Sequence, residues 1–153
     1  MVIKKNYKVD REKLADAYEN EEVLRELVRE VFENSFRTTD DYPLPYIVTD
    51  VRWSNRMTKS LGQVRVWRNK QKIDVAFSKP LLKNIKKFKK GSENYKKILD
   101  SFEDVIKHEL VHYYQVISGR KLSHDKEFGE TLRKIGGNGD TYYTEEEKEL
   151  FKM

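Results

Sequence analysis

Apolar positions along the chain switch period twice. Val23, Leu24, Leu27, Val28, Val31 and Phe32 recur at helical spacing and predict an amphipathic helix over "EEVLRELVREVFENSF". Asn20 stands at its entrance, and Glu21 and Glu22 occupy the first turn, where the helix dipole favours acids. A shorter helix, "REKLADAYEN", follows Asp10, and Met1 to Val9 reads as a short basic arm or edge strand. "DYPLPY" breaks helix and predicts a loop. The period then becomes two. "YIVTDVRWS", "GQVRVWR" and "KIDVAFS" are β-branched and aromatic, with Val64 and Val66, then Ile73, Val75 and Phe77, on alternate positions. The link "NKQ" is short enough for a hairpin. Three mostly antiparallel strands are expected, with Gly62 near a bend or bulge.

Helical spacing returns after Ser78 and Pro80. "LLKNIKKFKKGSENYKK" predicts one or two helical turns and then a basic loop around Gly91. Ser101 with Asp104 resembles a capping box opening the helix "FEDVIKHELVHYYQVIS", which Gly119 ends. Phe102, Ile106, Leu110, Tyr113 and Ile117 form its apolar stripe, with Asp104, His108, His112 and Gln115 as a polar seam beside it. Ser123 is the expected cap of a further helix, "HDKEFGETLRKI", stopped by Gly136 and Gly137. Thr144 and Glu147 suggest one more cap in the tail. Helices, a small sheet and helices again make an α+β layout, and the length suits one domain over residues 1–153.

Composition narrows the class. The chain is 37% hydrophobic, 37% charged and 12% aromatic, a charged globular protein and not a disordered one. It has no cysteine, which excludes a disulfide framework, a zinc ribbon and a thiol nucleophile. No apolar run reaches membrane-span length, and the opening residues lack a secretory apolar stretch, so a cytoplasmic location without membrane contact is expected. The formal charge of +5 is modestly basic and first of all implies a lysine-rich, soluble surface.

All three histidines fall in "HELVHYYQVISGRKLSHDKEF". Positions four apart lie on one helix face, so His108 and His112 aim at one point and can fill two corners of a zinc tetrahedron. Glu109 lies to the side, placed to reach water at the metal and not to ligate it. This is the HExxH pattern of zinc metalloproteases. His124 is the leading third ligand, since the chain turns at Gly119 and no other histidine exists. Glu127 and Glu130, on the same following helix, are the rivals. The plain alternative is a surface helix with unrelated histidines.

These residues resemble the SprT-like zinc metalloproteases, the SprT/Spartan protease core. "HELVHYYQ…G…SHDKEF" carries the resemblance, with looser support from "WSNRMTKSLGQVRV" and "KIDVAFSKPLL", over roughly Tyr46 to Phe128. The resemblance implies a zincin-like fold, a Zn2+ cofactor on His108, His112 and His124, and Glu109 as the catalytic residue. A metzincin is excluded, because Gln115 and Ser118 stand where that pattern needs glycine and histidine. The implied activity is a zinc-dependent metalloendopeptidase acting on protein or peptide through a zinc-activated water, with Glu109 as general base. Tyr113, Tyr114, Tyr142, Tyr143 and Arg56 are oxyanion-donor candidates that the sequence does not separate. Many members add a zinc ribbon or DNA-binding region, and the absence of cysteine rules out the ribbon within this sequence.

Two other functions compete. One is a basic nucleic-acid-binding module without proteolysis, through residues 83–97, where Phe88 and Tyr95 interleave with lysines. It can also coexist with a protease that acts on DNA-associated proteins. The other is a non-peptidase zinc hydrolase. Trp53 and Trp67 are expected in the core or on the sheet face.

Overall fold

A computed structural model describes residues 2–3, 8–37, 47–48, 50–67, 69, 71–137 and 149. The elements run β1 (Val2–Ile3), α1 (Arg11–Glu19), α2 (Glu21–Ser35), β2 (Phe36–Arg37), β3 (Asp50–Ser54), β4 (Gly62–Trp67), β5 (Lys72–Ser78), α3 (Asn84–Lys87), α4 (Glu93–Ile117) and α5 (Lys126–Lys134). This is the expected α+β arrangement. β1 pairs antiparallel with β2, so the opening residues include an edge strand. The "DYPLPY" loop and the expected Thr144 cap lie outside the described residues.

Both N-terminal helices start where their caps predict. The Asp10 side chain accepts from the Glu12 N–H and the Asn20 side chain from the Glu22 N–H, both at 2.9 Å. The apolar stripe of α2 is buried from Leu24 to Phe32. It packs beside the core face of the sheet, where the Trp53 indole donates to the Ala17 carbonyl at 2.9 Å and tilts against Phe102.

The main sheet has the order β3-β5-β4. β4 and β5 form the expected antiparallel hairpin, with Val64 opposite Val75. β3 runs parallel to β5, with Val51 opposite Val75 and Trp53 opposite Phe77, so the sheet is mixed and not mostly antiparallel. The chain leaves β3, crosses to the far edge as β4, and returns through the middle as β5. Ser78 pins that crossing: its N–H donates to the Leu61 carbonyl at 2.9 Å and its hydroxyl to Met57 at 2.6 Å. β3 also starts later than its apolar run suggests. Ile47 and Val48 precede the strand, and the Ile47 N–H is held by the Tyr113 hydroxyl at 2.7 Å.

The largest departure is the start of α4. Ser92, not Ser101, is the N-cap, accepting from the Tyr95 N–H at 3.2 Å. Ser101 lies buried inside a 25-residue helix. The helix ends as expected, in a Schellman motif: Arg120 N–H donates to Gln115 C=O at 2.8 Å and Gly119 N–H to Val116 C=O at 3.1 Å. Gly119 has φ +72°, a conformation that favours glycine. α5 is capped by Asp125, which accepts from the Phe128 N–H at 2.9 Å, so Ser123 and His124 precede the helix instead of opening it.

Candidate metal centre

α4 crosses the sheet with little of its surface free. From Phe102 to Val111 every residue but Asp104 is buried. The apolar stripe faces the core as expected, with Phe102, Ile106, Leu110 and Tyr113 all fully covered. The polar residues need partners in that setting. Glu103 and Lys107 pair at 2.9 Å, and the Glu103 carboxylate also accepts from Arg11 and from the Val9 N–H.

His108 is buried, His112 half-buried and His124 exposed, and one nitrogen from each lies within 4.8 Å of the others. His124 Nε2 stands 3.1 Å from His108 Nε2 and 3.0 Å from His112 Nε2. Nitrogen ligands about 2.0–2.1 Å from a tetrahedral zinc lie about 3.3 Å apart, so this set fits a bound metal ion with little adjustment. The chemistry fits too. Burial, with His112 and His124 close by, pushes His108 down to about 3. His112 is lowered mainly by burial, against a raising hydrogen bond from Gln115. Neutral imidazoles are the ligand form.

Of the rivals for the third position, Glu127 is exposed and paired with Arg120 at 2.8 Å, and Glu130 is exposed 3.9 Å from Lys126. Neither joins the histidine cluster. Phe128, buried, packs against all three imidazoles with centroids 4.6 to 4.9 Å away. Its place in the sequence, a turn into α5, gives no hint that it floors the site.

Glu109 is buried beside the histidines, and its Oε2 has no hydrogen-bond partner among the described residues. Burial alone pushes its carboxyl up to about 8. The side chain lies against the first residue of β4. A Cβ placed on Gly62 would stand 2.7 Å from Glu109 Cγ and 3.0 Å from both Cδ and Oε1. Gly62 shares the core face with Val64 and Val66, so the missing side chain leaves the slot that Glu109 fills. Gly62 is therefore required for close approach, a role that a period-two pattern does not reveal.

The remaining candidates scatter. Tyr113 sits in the core with its hydroxyl committed to Ile47. Tyr114 stacks on Phe36 at 5.5 Å with Arg120 over its ring. Arg56 is exposed on the β3–β4 connection, and Tyr142 and Tyr143 lie outside the described residues. Trp53 packs on the core as expected, and Trp67 is half-buried with Lys72 5.3 Å over its ring. Along residues 83–97, Lys83, Lys86, Lys87, Lys89, Lys90 and Lys96 are exposed. Phe88 and Tyr95 are partly buried and packed against the core. Among the described residues, no helix is long and apolar enough to cross a membrane.

The model of the SprT-like family matches residues 20–148. No curated protein and no solved structure matches the chain significantly.

Proposed function

The chain belongs to the SprT-like family, and on that premise we propose that residues 1–153 form one zinc-dependent endopeptidase domain working in the cytoplasm. The observation that carries this reading is the convergence of the three Nε2 atoms beside a buried carboxylate with an oxygen unpartnered among the described residues. His108, His112 and His124 hold the metal. Zinc bound there supplies Lewis acidity and lowers the pKa of water to roughly 7. Ionised in the presence of the bound cation, Glu109 Oε2 takes a proton and returns it to the departing amine, since among the described residues no protein donor occupies that oxygen. Among the described residues β4 pairs only with β5, so its outer edge offers main-chain groups to an extended peptide. β4 begins at Gly62, so a peptide laid along it passes beside Glu109.

The test is direct. Zinc is counted by elemental analysis of purified protein, and cleavage of a disordered substrate such as casein is compared with Glu109→Gln. One zinc per chain with activity abolished by the substitution is expected. Protein that stays metal-free under zinc-replete conditions overturns the reading.

The exposed lysines favour a second reading for the 83–97 face, contact with nucleic-acid phosphates, which would bring the protease to DNA-associated proteins. Binding to duplex and single-stranded DNA should then weaken steeply with salt. Binding that is absent at low salt removes it.

A further inference from the structure

Gln115 lies three residues beyond His112 on α4 and is 5% exposed. Its Oε1 is 2.9 Å from His112 Nδ1. Its Nε2 donates to the Ser123 carbonyl at 3.0 Å, and the Ser123 N–H points back to Oε1 at 3.4 Å. Those two backbone groups orient the amide: a carbonyl only accepts and an N–H only donates. With Oε1 facing His112, Nδ1 must be the donor, since an amide oxygen has no proton to give. A neutral imidazole has a single N–H, so Nε2 then carries the lone pair. Nε2 is the atom that stands 3.0 Å from His124 Nε2.

The same residue governs the loop to the third histidine. The Gln115 main-chain carbonyl accepts from Arg120 at the end of α4, and its side chain grips Ser123, the residue before His124. One residue thus ties both ends of the 120–123 segment. We propose that Gln115 is the positioning residue of the metal centre, fixing the His112 tautomer and anchoring the segment that delivers His124. This deepens the metal-centre reading and rests on it. Partners of this kind typically change metal affinity 10- to 100-fold when removed.

Zinc affinity, measured by chelator competition on the full chain, separates the two. Wild type that fails to bind zinc sinks the metal-centre reading. If wild type binds, Gln115→Leu should bind about 10- to 100-fold more weakly, while its metal-free form, with a lowered melting temperature, is still folded at the assay temperature. Gln115→Glu keeps an acceptor for the His112 N–H and should recover a clear part of that loss. An independent readout needs no variant: imidazole 15N shifts of metal-free wild type at neutral pH should show His112 protonated at Nδ1 and bare at Nε2. A Gln115→Leu protein that binds zinc like wild type, a Gln115→Glu protein no tighter than Gln115→Leu, or a proton on His112 Nε2 overturns the proposal.

Discussion

Gly62→Ala adds one methyl group, and its three nearest neighbours are all atoms of Glu109. The closest is Cγ at 2.7 Å, against an optimal carbon–carbon separation of about 3.5–4.0 Å. Relief therefore needs a shift of about 1 Å. Cγ is only two bonds from the backbone of a buried helix, so the shift cannot be absorbed at a loose chain end. Either the carboxylate leaves its place or β4 and α4 separate. Overpacking of this kind costs about 1–3 kcal/mol. A 1 Å misplacement at a reacting group costs about 100-fold in rate. The expected variant retains zinc, loses about 1–3 kcal/mol in denaturant unfolding and falls about 100-fold in kcat/KM on a protein substrate. A double-mutant cycle isolates the contact. In a Glu109→Ala background the opposing Cγ is gone, and Gly62→Ala should lose most of its effect on stability, a coupling of about 1–3 kcal/mol. Equal destabilisation in both backgrounds would refute the contact as the reason for glycine.

Further outcomes follow from the same helix. Glu109→Gln should abolish cleavage yet leave the metal-free protein as stable as wild type or more so in urea unfolding at neutral pH, because a neutral amide replaces a carboxyl whose ionised form burial disfavours; a loss above about 1 kcal/mol contradicts this. Metal-free stability should also depend on pH through two opposed groups. His108, lowered to about 3, loses stability as pH falls below its ordinary 6.5, by about 1.4 kcal/mol per pH unit at most, since the unfolded chain gains the proton first. Glu109, raised to about 8, acts oppositely: stability falls as pH rises above its ordinary 4.5, because the unfolded chain loses the proton first. The two offset each other between about pH 4.5 and 6.5, so Glu109→Gln should unmask the acid-side decline there; identical profiles for the two proteins count against it. Glu103→Ala withdraws the carboxylate shared by Lys107, Arg11 and the Val9 N–H and should cost about 3 kcal/mol in the same assay.

Local patterns carried much of the fold. The stripe of α2, the caps Asp10 and Asn20, the β4–β5 hairpin and the glycine stop at Gly119 all depend on residues within a few positions of each other. The parallel pairing of β3 with β5 does not. Strands adjacent in sequence suggest adjacency in space, but the middle place went to β5, nearly all of whose residues are buried. The start of α4 failed for a different reason. Ser101 and Asp104 mimic a cap, yet the apolar period continues upstream through Tyr95, Ile98 and Leu99, and packing of that face outweighs the local signal. At the site, His108, Glu109 and His112 are legible because helix geometry alone brings them to one turn. Gly62 and Phe128 are not, because their roles exist only once β4 and α5 pack against α4. Gln115 lies between these cases. Its spacing from His112 is readable, whereas its hold on Ser123 depends on the turn after Gly119.

The burial of α4 bears on why the site has two unequal sides. A long helix with few exposed positions must satisfy its polar groups internally or leave them stranded at a cost of about 1–3 kcal/mol each. Glu103 and Lys107 satisfy each other, and Gln115 satisfies His112. Glu109 Oε2 is the one side-chain nitrogen or oxygen on α4, among the described residues, that is buried without a hydrogen bond. Gly62 removes the side chain that would otherwise occupy its slot, so the stranded oxygen is held against β4. His124 is exposed, on a short segment tied back through Ser123. The carboxylate is thus set by helix and strand, and the segment that carries the third histidine is held by the Gln115 amide, with the ring packed on Phe128. Damage to the first should appear in turnover with the metal retained, and damage to the second in metal affinity. Comparing Gly62→Ala with Gln115→Leu therefore tests whether the centre divides along that line.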